Sequence, residues 1–435
     1  MKKVKRKNNK KILMICYYYP PLMDVACKRS VAFAKYFKKY GLKPFVLSVK
    51  NPDRNYCIFG NDIPPSNVET KYCYSIINPY KFLGQLNGLV SRVLRICGIG
   101  LKRNYLYDLF CIPDVFLGWI PLTVLTGYLI IKRNKIEIIY VSCPPFSSAI
   151  IGVVLKFLVR KPLVTDFRDA YSIEDEKLKW LEERPTFRKK IDKFIESKIL
   201  KYSDLFITVN MELAEKYAKQ HPQVSDHIRV IYNGVEQENF EFSGKKKYKK
   251  FTIVYSGNYY FFGSRKEIFF EAIYLIKNEK IIDSNTFQAL FYGSGENEII
   301  ELAKKWSVED LVKVHKRVSQ KKVFLTVSKA HLNFVRAVPA AVPIKILEGI
   351  ALNTPMLALV ENEEAVEIIK KHSPSSLIIK DDGANDVKNA ILQAMRMYND
   401  DNIINNKTKE FFKKFSRESQ TKKMLNYINT LFDGQ

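Results

Sequence analysis

A short apolar run, an amphipathic helix and a second apolar run recur along this chain, and that alternation constrains the fold more than any other feature. Ile12–Cys16 is the first run. Residues 28–40 follow with helical spacing through Val31, Ala34, Phe37 and Tyr40. Gly41 stands where a helix stops, and Pro44–Val49 reads as a buried strand. Strand, helix, strand at this spacing is a βαβ unit and implies a parallel sheet. Ile136–Ser142, Pro162–Thr165, Asp204–Val209 and Arg229–Tyr232 continue the strand series, with a helix over Ser147–Val159. Together they predict a doubly wound, Rossmann-like domain over residues 12–242, behind a basic tail of residues 1–11. Residues 243–250 are polar, lack apolar periodicity and read as a linker. A second series then begins with strands at Phe251–Ser256, Phe287–Tyr292, Leu311–His315, Ala330–Val335 and Pro355–Val360. The α/β chain therefore reads as two tandem Rossmann-like domains, the second over residues 251–407. A last helical pattern, residues 408–435, has no strand after it.

With 435 residues, 47% of them hydrophobic and 13% aromatic, each domain has enough apolar side chain to bury a core, which excludes a disordered or disulfide-stapled chain. The seven cysteines are odd in number, confined to the first third and never spaced Cys-x-x-Cys. They argue for a reducing compartment, the cytoplasm, and against a thiolate metal site. The charge is uneven. Residues 1–165 hold 27 Lys and Arg against 7 Asp and Glu, within a chain of net charge +26. A cationic first third implies an anionic partner such as a membrane leaflet, a nucleic acid or a phosphorylated substrate. The basic opening is followed by an apolar run too short for a secretory leader. Val115–Ile131, the longest apolar run, is broken by Pro121 and suits a domain helix better than a bilayer span.

In a parallel sheet, ligands collect at the carboxyl ends of the strands. In the first domain those ends are Tyr17–Pro21, including Tyr19 and Pro20; Ser142–Phe146, including Pro144 and Pro145; Asp166-Phe-Arg-Asp169; and Asn233-Gly234. In the second they are Gly257-Asn258, Gly293-Ser-Gly295 and Pro343–Glu348. No Walker loop is present and no Gly-x-Gly-x-x-Gly follows a strand, so ATP and dinucleotide readings lose support. The histidines His221, His227, His315, His331 and His372 form no ligand-spaced pair, so no metal cofactor is expected.

The run of motifs YYYPP, KRSVAFAKYFKKYG, SCPPFSS, DFRDAYS, VIYNGVE, VYSGNYY, FYGSGEN and KILEGIALNTPMLAL resembles the family 4 glycosyltransferases of the GT-B fold. The order and spacing hold over about residues 11–365. The resemblance implies two domains facing a cleft, with the C-terminal helix crossing back to the first. It implies an acceptor in the N-terminal domain, a nucleotide-sugar in the C-terminal one, and metal-free transfer with retention at the anomeric carbon. It places Lys345 and Arg265 on the diphosphate and Glu348 on the ribose hydroxyls, with Gly257, Asn258, Gly293 and Gly295 around the donor. The DFRD form matches one branch of the family. On that likeness Asp169, with Asp166 close behind, is the expected acceptor-side polar residue, one of the two serving as base toward an acceptor hydroxyl, with Arg168 on the acceptor side; a buried Asp–Arg pair bracing the turn is the alternative.

Two positions depart from the family pattern. Ala340 stands where a second glutamate often faces the donor sugar, and Pro20–Ala26 replaces the usual Gly-Gly after the first strand. Residues 82–96 place Phe82, Leu86, Leu89 and Val90 on one helical face, with Arg92 and Arg95 nearby. That pattern fits an interfacial helix on an anionic membrane or, equally, a helix packed on the sheet. With a lipid-linked saccharide as acceptor, both the charge and this helix make sense, and the expectation is a peripheral protein on the inner face of the cell membrane that builds an envelope polysaccharide. A sugar-nucleotide epimerase of the same fold, a degenerate transferase and a basic binding protein are the competing classes. No recognition helix or Arg-interleaved aromatic platform supports nucleic acid.

Overall fold

Two parallel sheets organise the chain, and every strand pairing within them is parallel. The computed structural model describes residues 10–22, 25–52, 64–65, 68–77, 79–96, 105–173, 184–240, 245–259, 266–337, 342–380, 383–400, 403–404 and 408–433. The first sheet holds β1 (Lys11–Ile15), β2 (Lys43–Val49), β3 (Glu69–Cys73), β4 (Ile138–Cys143), β5 (Leu163–Phe167), β6 (Leu205–Thr208) and β7 (Ile228–Val230). Their order is β3-β2-β1-β4-β5-β6-β7. The second sheet holds β8 (Phe251–Asn258), β9 (Phe287–Ser294), β10 (Val312–His315), β11 (Leu332–Arg336), β12 (Met356–Leu359) and β13 (Leu377–Ile379), in the order β10-β9-β8-β11-β12-β13. Both are doubly wound: the order reverses beside β1 in one and beside β8 in the other.

The central strands are apolar on both faces because helices cover both. On one face of the first sheet, Ile12, Met14, Ile138, Tyr140 and Val164 pack under Phe33 and Phe37 of the helix Val25–Lys39. Met424, Leu425 and Ile428 of the final helix, Arg417–Asp433, complete that core. The opposite face is covered by the helices Ile120–Asn134 and Ser147–Val159. Gly152 lies so close to the sheet that a Cβ there would sit 2.6 Å from Val141 and 2.8 Å from Leu163. The Val115–Ile131 run becomes a short 3-10 turn, Leu117–Trp119, and the helix Ile120–Asn134 with Pro121 in its first turn, where a missing N–H costs nothing. No described helix is long and apolar enough to cross a membrane.

The chain divides into two units, residues 1–233 with 420–435, and residues 234–419. Both boundaries differ from the sequence reading. Within the polar segment 243–250, Lys247 donates to the carbonyls of Ser328 (3.3 Å) and Ala330 (2.7 Å), closing the C-terminal end of the helix Gln320–Lys329. Tyr248 N–H donates to Lys329 O. This stretch is therefore part of the second unit. Burial holds the Lys247 ammonium down at a pKa of about 8. The expected single tail helix is two: Thr408–Phe415 stays with the second unit, its Phe411 and Phe415 rings against His372, and only Gln420 onward belongs to the first.

Candidate functional site

Where strand order reverses, the strand ends splay and leave a crevice for ligand. In the first sheet that place lies between β1 and β4. β1 runs out into Tyr17, whose ring packs against Phe116 (4.5 Å between centroids) and Trp119 (5.2 Å). Tyr19 is buried with its hydroxyl unpaired among the described residues, and burial raises its pKa. Pro20, also buried, accepts a 2.7 Å hydrogen bond from Tyr72 through its carbonyl. After β4, Pro144 is half-buried and Pro145 buried, and the Arg168 guanidinium donates to Pro144 O. Arg168 Nε is buried without a partner among the described residues. The loop is fixed from below by Asp114, which accepts from Ser147 N (2.9 Å), Ser147 Oγ (2.5 Å) and Phe116 N (3.0 Å). Burial raises the Asp114 pKa despite those bonds. Asp114 belongs to no motif, so the sequence alone does not single it out.

The two carboxylates of the DFRD motif have opposite surroundings. Asp166 is 0% exposed and forms a bidentate pair with Arg29 (2.8 and 2.9 Å), while Tyr140 OH donates to it at 2.7 Å. Arg29 also donates to Tyr232 O at 2.9 Å. A carboxylate so enclosed braces β4, β5 and the helix Val25–Lys39; it does not face a substrate. The buried Asp–Arg pair is thus present, but its arginine is Arg29 rather than Arg168. Asp169, beyond the strand end, is exposed. Cys16 and Cys143 lie beside these groups, and burial pushes Cys16 up to about 12 and Cys143 well above its usual value, so neither thiol is a nucleophile.

In the second sheet the reversal lies between β8 and β11. Gly257 (φ 139°) and Gly293 (φ 140°) are paired in register at the ends of β8 and β9. A Cβ on Gly293 would lie 2.0 Å from Gly257 O, so glycine is required there by packing. At Gly257 the demand is different: a Cβ would meet nothing nearer than Lys345 Cε at 3.6 Å. Its φ of 139° is what asks for glycine, and its bare backbone lies beside Lys345 and the Tyr255 hydroxyl, 3.7 Å from where a Cβ would be. Lys345 Nζ donates to Ser256 Oγ at 3.2 Å and stands 3.8 Å from Glu348 on the helix Ile344–Ala351. Gln320 Nε2 holds the other Glu348 oxygen at 3.0 Å. Pro343 precedes that helix and offers no side-chain cap; Ile346 N donates to Pro343 O at 3.1 Å, which leaves the amides of Ile344 and Lys345 to meet an anion. Asn258 accepts from Ser294 Oγ, and Gly295 (φ 96°) opens the helix Glu296–Lys305.

The structure thus brings Lys345, Glu348 and Gly257 together, with Asn258 and Gly293 adjoining. Ser256, Gln320 and Arg336, at the end of β11, were missed. Arg336 and Ser256 are strand-end residues at the reversal and become readable once strand order is known; Gln320 carries no sequence signal. Arg265 and Ala340 lie outside the described residues, as does the Arg95 side chain. In the helix Pro79–Ile96, Phe82, Leu86, Leu89 and Arg92 are exposed, Val90 is half-buried and Leu83 is buried. Among the described residues no cluster of His, Cys, Asp and Glu could hold a metal ion.

A family model described as glycosyltransferase family 4 matches residues 105–239, and one described as glycosyl transferases group 1 matches residues 250–397. A search of curated proteins found no match. Among solved structures, a glycosyltransferase from Rickettsia africae ESF-5 is 16% identical over 98% of this chain and 100% of its own, with a TM-score of 0.67. HepE of Anabaena, solved in complex with UDP-glucose, is 13% identical over 97% of this chain and 99% of its own, at 0.62. A UDP-N-acetylglucosamine 2-epimerase is 11% identical over 98% of each chain, at 0.53. At such identities these likenesses establish the two-domain fold, and the family matches supply the activity. Carrying a glycosyltransferase family 4 segment followed by a group 1 segment, the chain is a glycosyltransferase of the GT-B fold.

Proposed function

We propose that this glycosyltransferase moves a sugar from a nucleotide-sugar to a lipid-linked saccharide, with retention and without a metal, in the assembly of an envelope polysaccharide. The observation that carries the reading is the grouping of Lys345, Glu348 and the bare backbone of Gly257 where the second sheet reverses. As the glycosidic bond breaks, its electron pair passes to the β-phosphate oxygen of the leaving nucleoside diphosphate. Lys345, Arg265 and the first-turn amides of the helix Ile344–Ala351 supply the positive potential that meets this charge. Glu348, oriented by Gln320, accepts from the ribose hydroxyls. Gly257 leaves room for the diphosphate beside Lys345. In the first unit Asp169 takes the proton from the acceptor hydroxyl. Asp166 is a positioning residue that holds the loop carrying Asp169.

Two features support the nucleotide-sugar and the lipid. The Anabaena neighbour was solved with UDP-glucose. The cationic first third and the exposed Phe82, Leu86 and Leu89 suit a protein working at the inner face of a cell membrane. The test incubates the protein, in EDTA, with a panel of sugar nucleotides and an extract of bacterial lipid-linked saccharides. The expected result is consumption of one donor and extension of the lipid-linked saccharide, with the anomeric configuration kept. Conversion of the donor into an isomeric sugar nucleotide, with no transfer, would contradict the reading and favour an epimerase.

A further inference from the structure

The helices on the face of the first sheet opposite Val25–Lys39 form a layer whose outer side is apolar and basic. Three helices make it: Ile120–Asn134, Ser147–Val159 and Thr186–Tyr202. The first two are in close contact, since a Cβ on Gly127 would lie 2.8 Å from Leu155. Phe157 and Tyr202 join the second to the third with ring centroids 4.7 Å apart. Facing outward are Leu125 (57% exposed), Leu129, Phe157 (58%), Leu158, Phe187 and Phe194 (62%). Large apolar side chains repeated over three adjacent helices are more than the scattered exposure of an ordinary surface.

The charges on the same layer point to what covers it. The only acidic residues in the three helices are Asp192 and Glu196, and both are buried, in pairs with Arg188 and His221. Lys132, Arg133, Lys189, Lys190, Lys193 and Lys198 are all exposed. Lys198 lies over the Phe194 ring at 5.2 Å, its stem along the aromatic face. A hollow of about 590 Å³ opens where the first two helices end, lined by Lys11, Lys132, Lys135 and Lys161 with one carboxylate, Glu137. Two of its groups are partly committed: Lys11 donates to Asn134 O at 2.8 Å, and Glu137 accepts from Lys11 N at 3.2 Å. The remaining lysines outnumber that single acid. An apolar face with a one-sign basic fringe is the pattern of a surface that seats in the headgroup and acyl boundary of an anionic leaflet.

We propose that this three-helix layer docks onto an anionic lipid leaflet, its apolar side chains entering the interface and the basic hollow taking headgroup phosphates. The layer does not include the helix Pro79–Ile96, and the inference does not depend on the donor-site reading. The full chain is spun with sucrose-loaded vesicles of phosphatidylcholine alone, or with about one-third phosphatidylglycerol added. Wild type should pellet with the anionic vesicles and not with the zwitterionic ones. Leu125→Glu with Phe194→Glu should lower the bound fraction about tenfold. Lys132→Ser with Lys189→Ser and Lys193→Ser, changes confined to exposed side chains, should lower it comparably and keep the melting temperature. Nucleoside diphosphate binding should be unchanged in both, which separates failure of this inference from failure of the donor site. Wild type remaining in the supernatant, or variants pelleting as well as wild type, would overturn it. Self-association through the same face, with no vesicle binding, would also overturn it, in favour of a second copy of the chain.

Discussion

Asp166 and Asp169 share one short motif, yet their surroundings give them different work. Removing the charge of Asp166 leaves Arg29 buried and unpaired, and breaking a buried pair costs about 3–5 kcal/mol. Asp166→Asn should therefore lower the melting temperature measurably, while Asp169→Asn should abolish turnover and leave melting unchanged. Thermal denaturation beside a transfer assay distinguishes the two, and an active Asp169→Asn enzyme would remove the proposed base. In the second unit, Lys345→Ala should weaken nucleoside diphosphate affinity by roughly 1.5–3 kcal/mol, the range for a hydrogen bond to a charged group. Calorimetric titration checks this, with Lys345→Arg expected to keep part of the affinity. The Arg29–Asp166 pair was not legible in the sequence because its partners come from a helix and a strand far apart in the chain. Which aspartate was enclosed and which exposed could not be read from the motif alone.

At the scale of elements, the strands buried on both faces were legible because each is a short apolar run bounded by turn residues. Of the four edge strands, β3 and β13 were not. β3 reads Glu-Thr-Lys-Tyr-Cys, polar over its first three residues with exposed and half-buried positions alternating, and β13 is three residues long. Segment 243–250 reads as a linker since its anchoring is by main-chain atoms and the ammonium groups of Lys247 and Lys250, which leave no periodicity. The final helix shows packing of the opposite kind, where pattern and burial agree. Ile428→Ala should destabilise the first unit by about 2–5 kcal/mol, read as a lowered denaturant midpoint with the slope unchanged. The strand-edge residue His331 gives a pH signature. Its Nδ1 accepts from Thr252 N at 3.0 Å, which requires the neutral ring, and burial holds its pKa at about 4 against 6.5 in the unfolded chain. Between those values the unfolded state binds the extra proton, so this group's contribution is full above pH 6.5 and is lost as the pH falls toward 4. Melting temperature against pH should show that loss, and His331→Gln should flatten it.

For the whole molecule, the two units carry different charge and different chemistry. The first unit holds most of the net positive charge and the exposed apolar helices; the second unit holds the lysine, glutamate and glycine grouped at its strand reversal. Fold class and the tandem arrangement were legible because both sheets repeat the same strand–helix pattern. The exposed apolar side of the three-helix layer was not, because Ile120–Asn134 and Ser147–Val159 are apolar on both sides, while Thr186–Tyr202 buries Arg188, Asp192 and Glu196 and leaves Phe187 and Phe194 outside, so periodicity cannot say which side the sheet takes. Ligand binding to the second unit should raise its melting transition in proportion to the logarithm of free nucleotide.

The most direct test of the central claim is a calorimetric titration of UDP, GDP, CDP and dTDP into the wild-type protein and Glu348→Ala, with EDTA in both cells. One nucleoside diphosphate should bind wild type without metal, and the substitution should weaken it about tenfold or more by removing the acceptor for the ribose hydroxyls. Equal affinity in the two proteins, or no binding to either, would contradict the assignment of the donor site to Lys345, Glu348 and Gly257.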